Sequence, residues 1–130
     1  MSRNAILCID DEAIILLSLI QELKNSFGNR FVYEKALDAK SALRVIEELK
    51  EEGIKLLLII TDWLMPGIKG DELIAMIRDK YPEIKAILIT GQADQDAIDK
   101  VIEDGLVIDV LKKPWHPIVL KEIISDNIPM

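Results

Sequence analysis

Leu56-Leu57-Leu58-Ile59-Ile60-Thr61-Asp62-Trp63-Leu64-Met65-Pro66-Gly67 decides how the rest of this chain is read. A short run that is apolar almost throughout predicts a strand covered on both faces, as in a parallel sheet. It ends in an acid, Asp62, and the Met65-Pro66-Gly67 that follows speaks against an ordinary loop acid. Three other runs have the same design. Ala5-Ile6-Leu7-Cys8-Ile9 leads into Asp10-Asp11, Ala86-Ile87-Leu88-Ile89 into Thr90, and Val107-Ile108-Asp109-Val110-Leu111 into Lys112-Lys113-Pro114. In a parallel sheet all four ends lie on one edge, the carboxyl edge where open α/β sheets bind ligands. Three carboxylates, a hydroxyl and an ammonium then share one crevice.

Between the runs lie amphipathic segments. Helices are predicted over 12–27, stopped by Gly28, and from the Asp38 cap to just before Gly53. Further helices are predicted over 71–81, closed by Pro82, over 94–104, closed by Gly105, and from Pro117 onward. In the second helix Ala39, Ala42, Leu43, Ile46 and Leu49 recur at helical spacing. A further strand over 31–36 alternates apolar and polar residues, which suits a place near an edge. The reading is α/β: a single (βα)5 doubly wound domain with a five-stranded parallel sheet in order 2-1-3-4-5, flavodoxin-like.

With 130 residues, half of them apolar, the chain suits one domain with a substantial core. The net charge of −7 and the lack of a Lys/Arg cluster speak against direct nucleic-acid binding. The sequence has no apolar run of the ~18 residues that a membrane helix needs. Met1-Ser2-Arg3-Asn4 leads straight into the first strand, without the pattern of a signal peptide. One cysteine, Cys8, allows no internal disulfide. A cytoplasmic domain without membrane contact is expected.

Clustered carboxylates raise one another's pKa unless a cation sits among them. Oxygen donors in an open, wet site favour Mg²⁺, and no nearby Cys or His offers softer ligation for zinc. Asp11 and Asp62 are expected as direct ligands and Asp10 through water, with the Leu64 backbone carbonyl completing the protein's share. A carboxylate is also a nucleophile toward phosphorus, if the phosphoryl oxygens are neutralised and held in line. Asp62 is the best candidate. Lys113 and Thr90 would contact the phosphoryl oxygens beside Mg²⁺. Either Lys112 or Lys113 fits the inward position by spacing alone.

Asp10-Asp11, Asp62 through Gly70 read as Asp-x-x-Met-Pro-x-x-x-Gly, Thr90-Gly91 and Lys113-Pro114 together resemble the receiver domain of two-component response regulators. The likeness runs from about Ala5 to Ile124. It implies one receiver domain over 1–130, standing alone or continuing into a longer protein. It further implies that Asp62 accepts a phosphoryl group from a sensor histidine kinase or a histidine phosphotransfer protein. Asp10 and Asp11 hold Mg²⁺, Thr90 is the switch hydroxyl and Lys113 selects itself over Lys112 through Pro114. Such a domain is a phosphoacceptor with self-phosphorylation and self-dephosphorylation chemistry, not an enzyme acting on a separate substrate. Leu64 and Gln92 flank the expected phosphoryl site, where the resemblance places residues that tune hydrolysis. An apolar Leu64 cannot orient water, so a slow to moderate lifetime is expected.

The chain departs from the family at Val110, where an aromatic that reports the active state often stands. Trp115 replaces a common Phe, and the spacing from Gly105 to Lys113 is one residue longer than in the chemotaxis-type regulator. These features resemble receivers fused to cyclic-dinucleotide phosphodiesterase, cyclase or kinase modules. The resemblance also implies dimerisation or output through a helix 4–strand 5–helix 5 face, where Val101, Val110 and Ile118 are expected to form an apolar patch.

Three rival functions fit the residues less well. An aspartate-nucleophile phosphatase of the haloacid dehalogenase type needs Asp-x-Asp, whereas Asp62 precedes Trp63-Leu64. A flavodoxin-like cofactor binder needs a Gly/Ser/Thr-rich phosphate loop, and Asp10-Asp11-Glu12 repels phosphate unless a metal intervenes. A degenerate receiver serving only protein interaction would not need the intact acidic set. Of the remaining residues, His116 is expected as an exposed cap, Cys8 as core and Trp63 as partly exposed beside the site. Ile14, Ile15, Leu16, Leu17, Leu19, Ile20 and Leu23 are expected to form a broad buried face, with partner docking as the alternative.

Overall fold

The computed structural model describes residues 3–91 and 94–129. Strands β1 (Asn4–Ile9), β2 (Val32–Ala36), β3 (Lys55–Asp62), β4 (Lys85–Thr90) and β5 (Asp109–Lys112) alternate with helices α1 (Ala13–Phe27), α2 (Ala39–Glu51), α3 (Gly70–Lys80), α4 (Gln95–Glu103) and α5 (Pro117–Asn127). A short 3₁₀ turn, Gly28–Arg30, links α1 to the second strand. All pairings are parallel, and the five strands lie in the order β2-β1-β3-β4-β5. This is the expected architecture, with the alternating strand β2 at an edge.

Because successive strand residues face opposite ways, the sheet feeds two cores. Ile6 and Cys8 of β1 and Leu58 and Ile60 of β3 pack with Leu19 and Leu23 of α1 and with Leu120 and Ile124 of α5. Ala5, Leu7 and Ile9 face the other way, against Ala42 and Ile46 of α2 and Leu73 and Ile77 of α3. On that side Ile74, Ala86, Leu88, Val101 and Val107 form a smaller cluster that seats α4. Full burial of a leucine or isoleucine contributes about 1.5–3 kcal/mol, so these paired layers fix which strand ends meet at the carboxyl edge. No helix among the described residues is long and apolar enough to cross a membrane.

Side-chain caps mark helix starts. The Asp38 and Asp94 carboxylates accept from the Ser41 and Ala97 amides and cap α2 and α4. Several boundaries differ from the sequence reading by a residue or two, and two of the differences have a visible cause. Helix α3 begins at Gly70, not Asp71, because the Gly70 amide turns back to donate to the Trp63 carbonyl at 2.7 Å. Strand β5 begins at Asp109: Val107 is buried under α4, and pairing to β4 starts at Ile87↔Asp109.

The face of α1 also differs. The buried residues are Leu16, Leu19, Leu23 and Phe27. These recur every three or four residues, as one helical stripe does. Ile14 (81 % exposed) and Leu17 (59 %) lie off that stripe, and Leu17 shares a groove with Leu37, just after β2. The apolar run is therefore broader than the buried face.

Candidate functional site

The strand ends deliver the expected residues to one crevice. Asp10 follows β1, its amide donating to the Ala36 carbonyl and its Oδ1 accepting from the Glu12 amide at 2.9 Å. Asp62 closes β3 and Thr90 closes β4; both are buried, as is Asp10. Asp11 is exposed at the rim. The Asp62 segment is tied to β4 through the Trp63 amide, which donates to the Ile89 carbonyl at 2.8 Å. Lys113 follows β5, and its amide donates to the Thr90 carbonyl at 2.7 Å. The Lys113–Pro114 peptide is cis.

The Lys113 ammonium lies 3.4 Å from Asp10 Oδ2 and 3.3 Å from Asp62 Oδ1. Lys112 is exposed, so Lys113 is the inward member of the pair. Carboxylate oxygens of Asp10, Asp11 and Asp62 lie within 4.8 Å of one another. Burial holds the Asp62 carboxyl above its usual range, and the Asp10 charge adds to that while Lys113 opposes it. Burial alone would depress the Lys113 ammonium, but Asp10 and Asp62 outweigh it and the net shift is upward. Three carboxylates around one ammonium leave excess negative charge in a small volume. Hard oxygen donors with unbalanced charge fit a divalent cation such as Mg²⁺.

Trp63 is half-buried, and Leu64 exposes 47 % of its surface. Both line a cavity of about 220 Å³ with Lys69, Thr90, Asp94, Ala97 and Ile98. Gln92 lies outside the described residues. Cys8 is buried in the core, and His116 is exposed, with Nδ1 accepting from the Ile118 amide at the start of α5. The apolar patch expected from Val101, Val110 and Ile118 does not form as read. Val101 lies on the buried face of α4 and Val110 packs on that cluster, whereas Ile102, Ile118 and Val119 are exposed large apolar residues of that side.

Two features escaped the sequence reading. The Trp115 indole Nε1 donates to Glu22 Oε2 on α1 at 2.9 Å, across 93 positions of chain. Nothing local links those residues, so no sequence signal marks the pair. A Cβ at Gly70 would collide with the Asp62 carbonyl oxygen. The resemblance contains that glycine, but its reason is visible only in three dimensions.

A parallel five-stranded α/β sheet with an acidic trio and a lysine at its carboxyl edge defines a receiver-type domain. Residues 6–125 match the response regulator receiver domain, and the chain belongs to that family. It is 30% identical over 124 residues to a chemotaxis protein CheY homolog of Campylobacter jejuni, covering 93% of this chain and 89% of that protein. It is 28% identical over 115 residues to the hydrogenase transcriptional regulatory protein HoxA of Cupriavidus necator, covering 88% of this chain but only 22% of that longer protein. Among solved structures it resembles the signal receiver domain of an HD domain-containing protein from Pseudomonas fluorescens Pf-5, with a TM-score of 0.81 and 28% identity over 98% of this chain and 95% of that one.

Proposed function

We propose that this receiver domain is a Mg²⁺-dependent phosphoacceptor, modified on Asp62 by a sensor histidine kinase or a histidine phosphotransfer protein. The observation that carries this reading is the Lys113 ammonium held between Asp10 and Asp62, with Asp11 at the rim of the same cluster. An Asp62 carboxylate oxygen attacks phosphorus, and the bond from phosphorus to the donor's imidazole nitrogen breaks. The imidazole leaves with the electron pair, and the product is an acyl phosphate. Bound Mg²⁺ supplies charge neutralisation on the phosphoryl oxygens. Asp10, Asp11 and Asp62 would hold it, with the Leu64 backbone carbonyl as a further donor. Lys113 gives up its contact with Asp62 to meet a phosphoryl oxygen. Thr90, at the end of the neighbouring strand, meets another, and its displacement is the conformational signal. The chain is then a switch with self-phosphorylation and self-dephosphorylation chemistry, not an enzyme with a separate substrate.

Exposed Ile102, Ile118 and Val119 on the α4–β5–α5 side suit a second copy or an output module. The likeness to the receiver of an HD domain-containing protein supports an output of that multidomain kind.

Tryptophan fluorescence tests the reading, since Trp63 adjoins Asp62. A saturable change with Mg²⁺, a further change with acetyl phosphate and the mass gain of one phosphoryl group are expected. The fluorescence change with donor and the mass gain should both be absent in Asp62→Asn. A mass gain that persists in that variant would move the acceptor elsewhere. No metal response and no mass gain in the wild type would leave a degenerate receiver.

A further inference from the structure

We infer that Glu22 and Trp115 are a positioning pair that sets where the Lys113 ammonium stands. The inference rests on the phosphoacceptor reading of the site. A lysine carries its charge on a flexible four-carbon stem. Its backbone must therefore be fixed if the ammonium is to stay between two carboxylates. On one side, the Lys113 amide is held by the Thr90 carbonyl. On the other, two residues along, the Trp115 indole donates to the Glu22 carboxylate. A hydrogen bond to a charged acceptor is roughly twice as strong as a neutral one, and this bond is partly buried.

Packing holds the loop only in part at that point, with Trp115 half-buried against the core. A cavity of about 380 Å³ opens between α1 and the loop, lined by Ile15, Ser18, Glu22, Lys113, Pro114 and Trp115. The indole–carboxylate bond ties the two walls of that cavity together. Glu22 also sits on the helix whose approach is anchored at the other end of the ion pair. The Glu12 amide, just before α1, donates to Asp10 Oδ1, and Asp10 Oδ2 faces Lys113. Both Asp10 and the lysine loop are thus tied to α1, and Glu22 and Trp115 form the tie on the lysine side. A reacting group displaced by about 1 Å can cost two orders of magnitude in rate, so a loosened loop is measurable.

The test uses the full chain with Trp115→Phe, Glu22→Ala and Glu22→Gln. In ¹⁵N-labelled, metal-free protein the Lys113 ammonium signal is assigned by its loss in Lys113→Ala. In Trp115→Phe and Glu22→Ala that signal should broaden or shift. The rate of phosphorylation by acetyl phosphate at saturating Mg²⁺ should fall roughly 3- to 10-fold. Glu22→Gln keeps an acceptor oxygen and should restore both, and the double variant should fall no further than either single one. An unchanged ammonium signal and rate in Trp115→Phe and Glu22→Ala would reduce the pair to a packing contact and overturn the inference. If the wild type takes up no phosphoryl group, the phosphoacceptor reading fails, and the ammonium signal still decides whether the pair holds Lys113.

Discussion

Gly70, the first residue of α3, packs so closely on Asp62 that a methyl group there would strike the Asp62 carbonyl oxygen. The same methyl would lie 3.0 Å from a Leu88 methyl and from the Trp63 Cα. Leu88 can shift its side chain, but the Asp62 and Trp63 backbones belong to the segment that aims the acceptor. Gly70→Ala should therefore destabilise the fold by about 1–3 kcal/mol, as overpacking does. It should also slow phosphorylation at Asp62. Urea unfolding and single-turnover labelling with acetyl phosphate check the two effects separately.

Asp62→Asn should be more stable than the wild type in metal-free buffer. The folded state raises the pKa of this carboxyl, chiefly through burial. It therefore binds the proton more tightly than the unfolded chain does, and the ionised form costs stability at neutral pH. The penalty is relieved as pH falls through the raised folded value toward the unfolded value of about 3.9. The advantage of Asp62→Asn should thus be largest near neutrality and shrink on acidification. A gain of about 1 kcal/mol would raise the melting temperature by several degrees. Thermal melts of both proteins at a series of pH values test the sign. Saturating Mg²⁺ should narrow the difference at neutral pH by stabilising the wild type.

Lys113→Ala should act in the opposite direction on the apo protein. It strips the counter-charge from Asp10 and Asp62, each within 3.4 Å of the ammonium. The pair is partly solvated, so the expected loss of about 1–2 kcal/mol lies between the exposed and buried limits. The folded pKa of Lys113 is raised. Its stabilisation is full below the unfolded value of about 10.4 and is lost as pH rises through the folded value. Calorimetry should still detect Mg²⁺ binding in Lys113→Ala, while the fluorescence response to donor weakens. A full response would remove the lysine from the mechanism.

Along α1, the cost of substitution should follow the observed stripe. Leu17→Ser, at a side chain 59 % exposed, should change stability by no more than about 0.5 kcal/mol. Leu19→Ala, at one 1 % exposed, should cost about 2–5 kcal/mol. Equal costs in denaturant unfolding would return Leu17 to the core.

The strands were legible because a doubly covered parallel strand has to be apolar on both faces, as in Leu56–Ile60. The grouping of Asp10, Asp11, Asp62 and Lys113 followed from topology, since parallel strands end on one edge. The buried stripe of α1 was less legible. Seven apolar residues among Ile14–Leu23 fit several helical faces, and only the position of the sheet selects the one through Leu16, Leu19 and Leu23. The start of β5 was misplaced because Val107 is buried by α4 and not by strand pairing, and hydropathy does not distinguish the two. The Glu22–Trp115 bond joins residues far apart in the chain, and no periodicity connects them.

Cys8 offers a use unconnected with signalling. It is the sole thiol of the chain, fully enclosed in the core beneath α1 and α5, and burial pushes its pKa well up. Neither access nor thiolate is present in the folded protein for maleimide chemistry. A cysteine introduced at exposed Ile14 or Ile118 is therefore a selective attachment point for a fluorophore or spin label, with no need to remove Cys8 first. Labelling stoichiometry then rises from one to two only when the core opens, so one reagent reports both the position of the probe and the integrity of the fold.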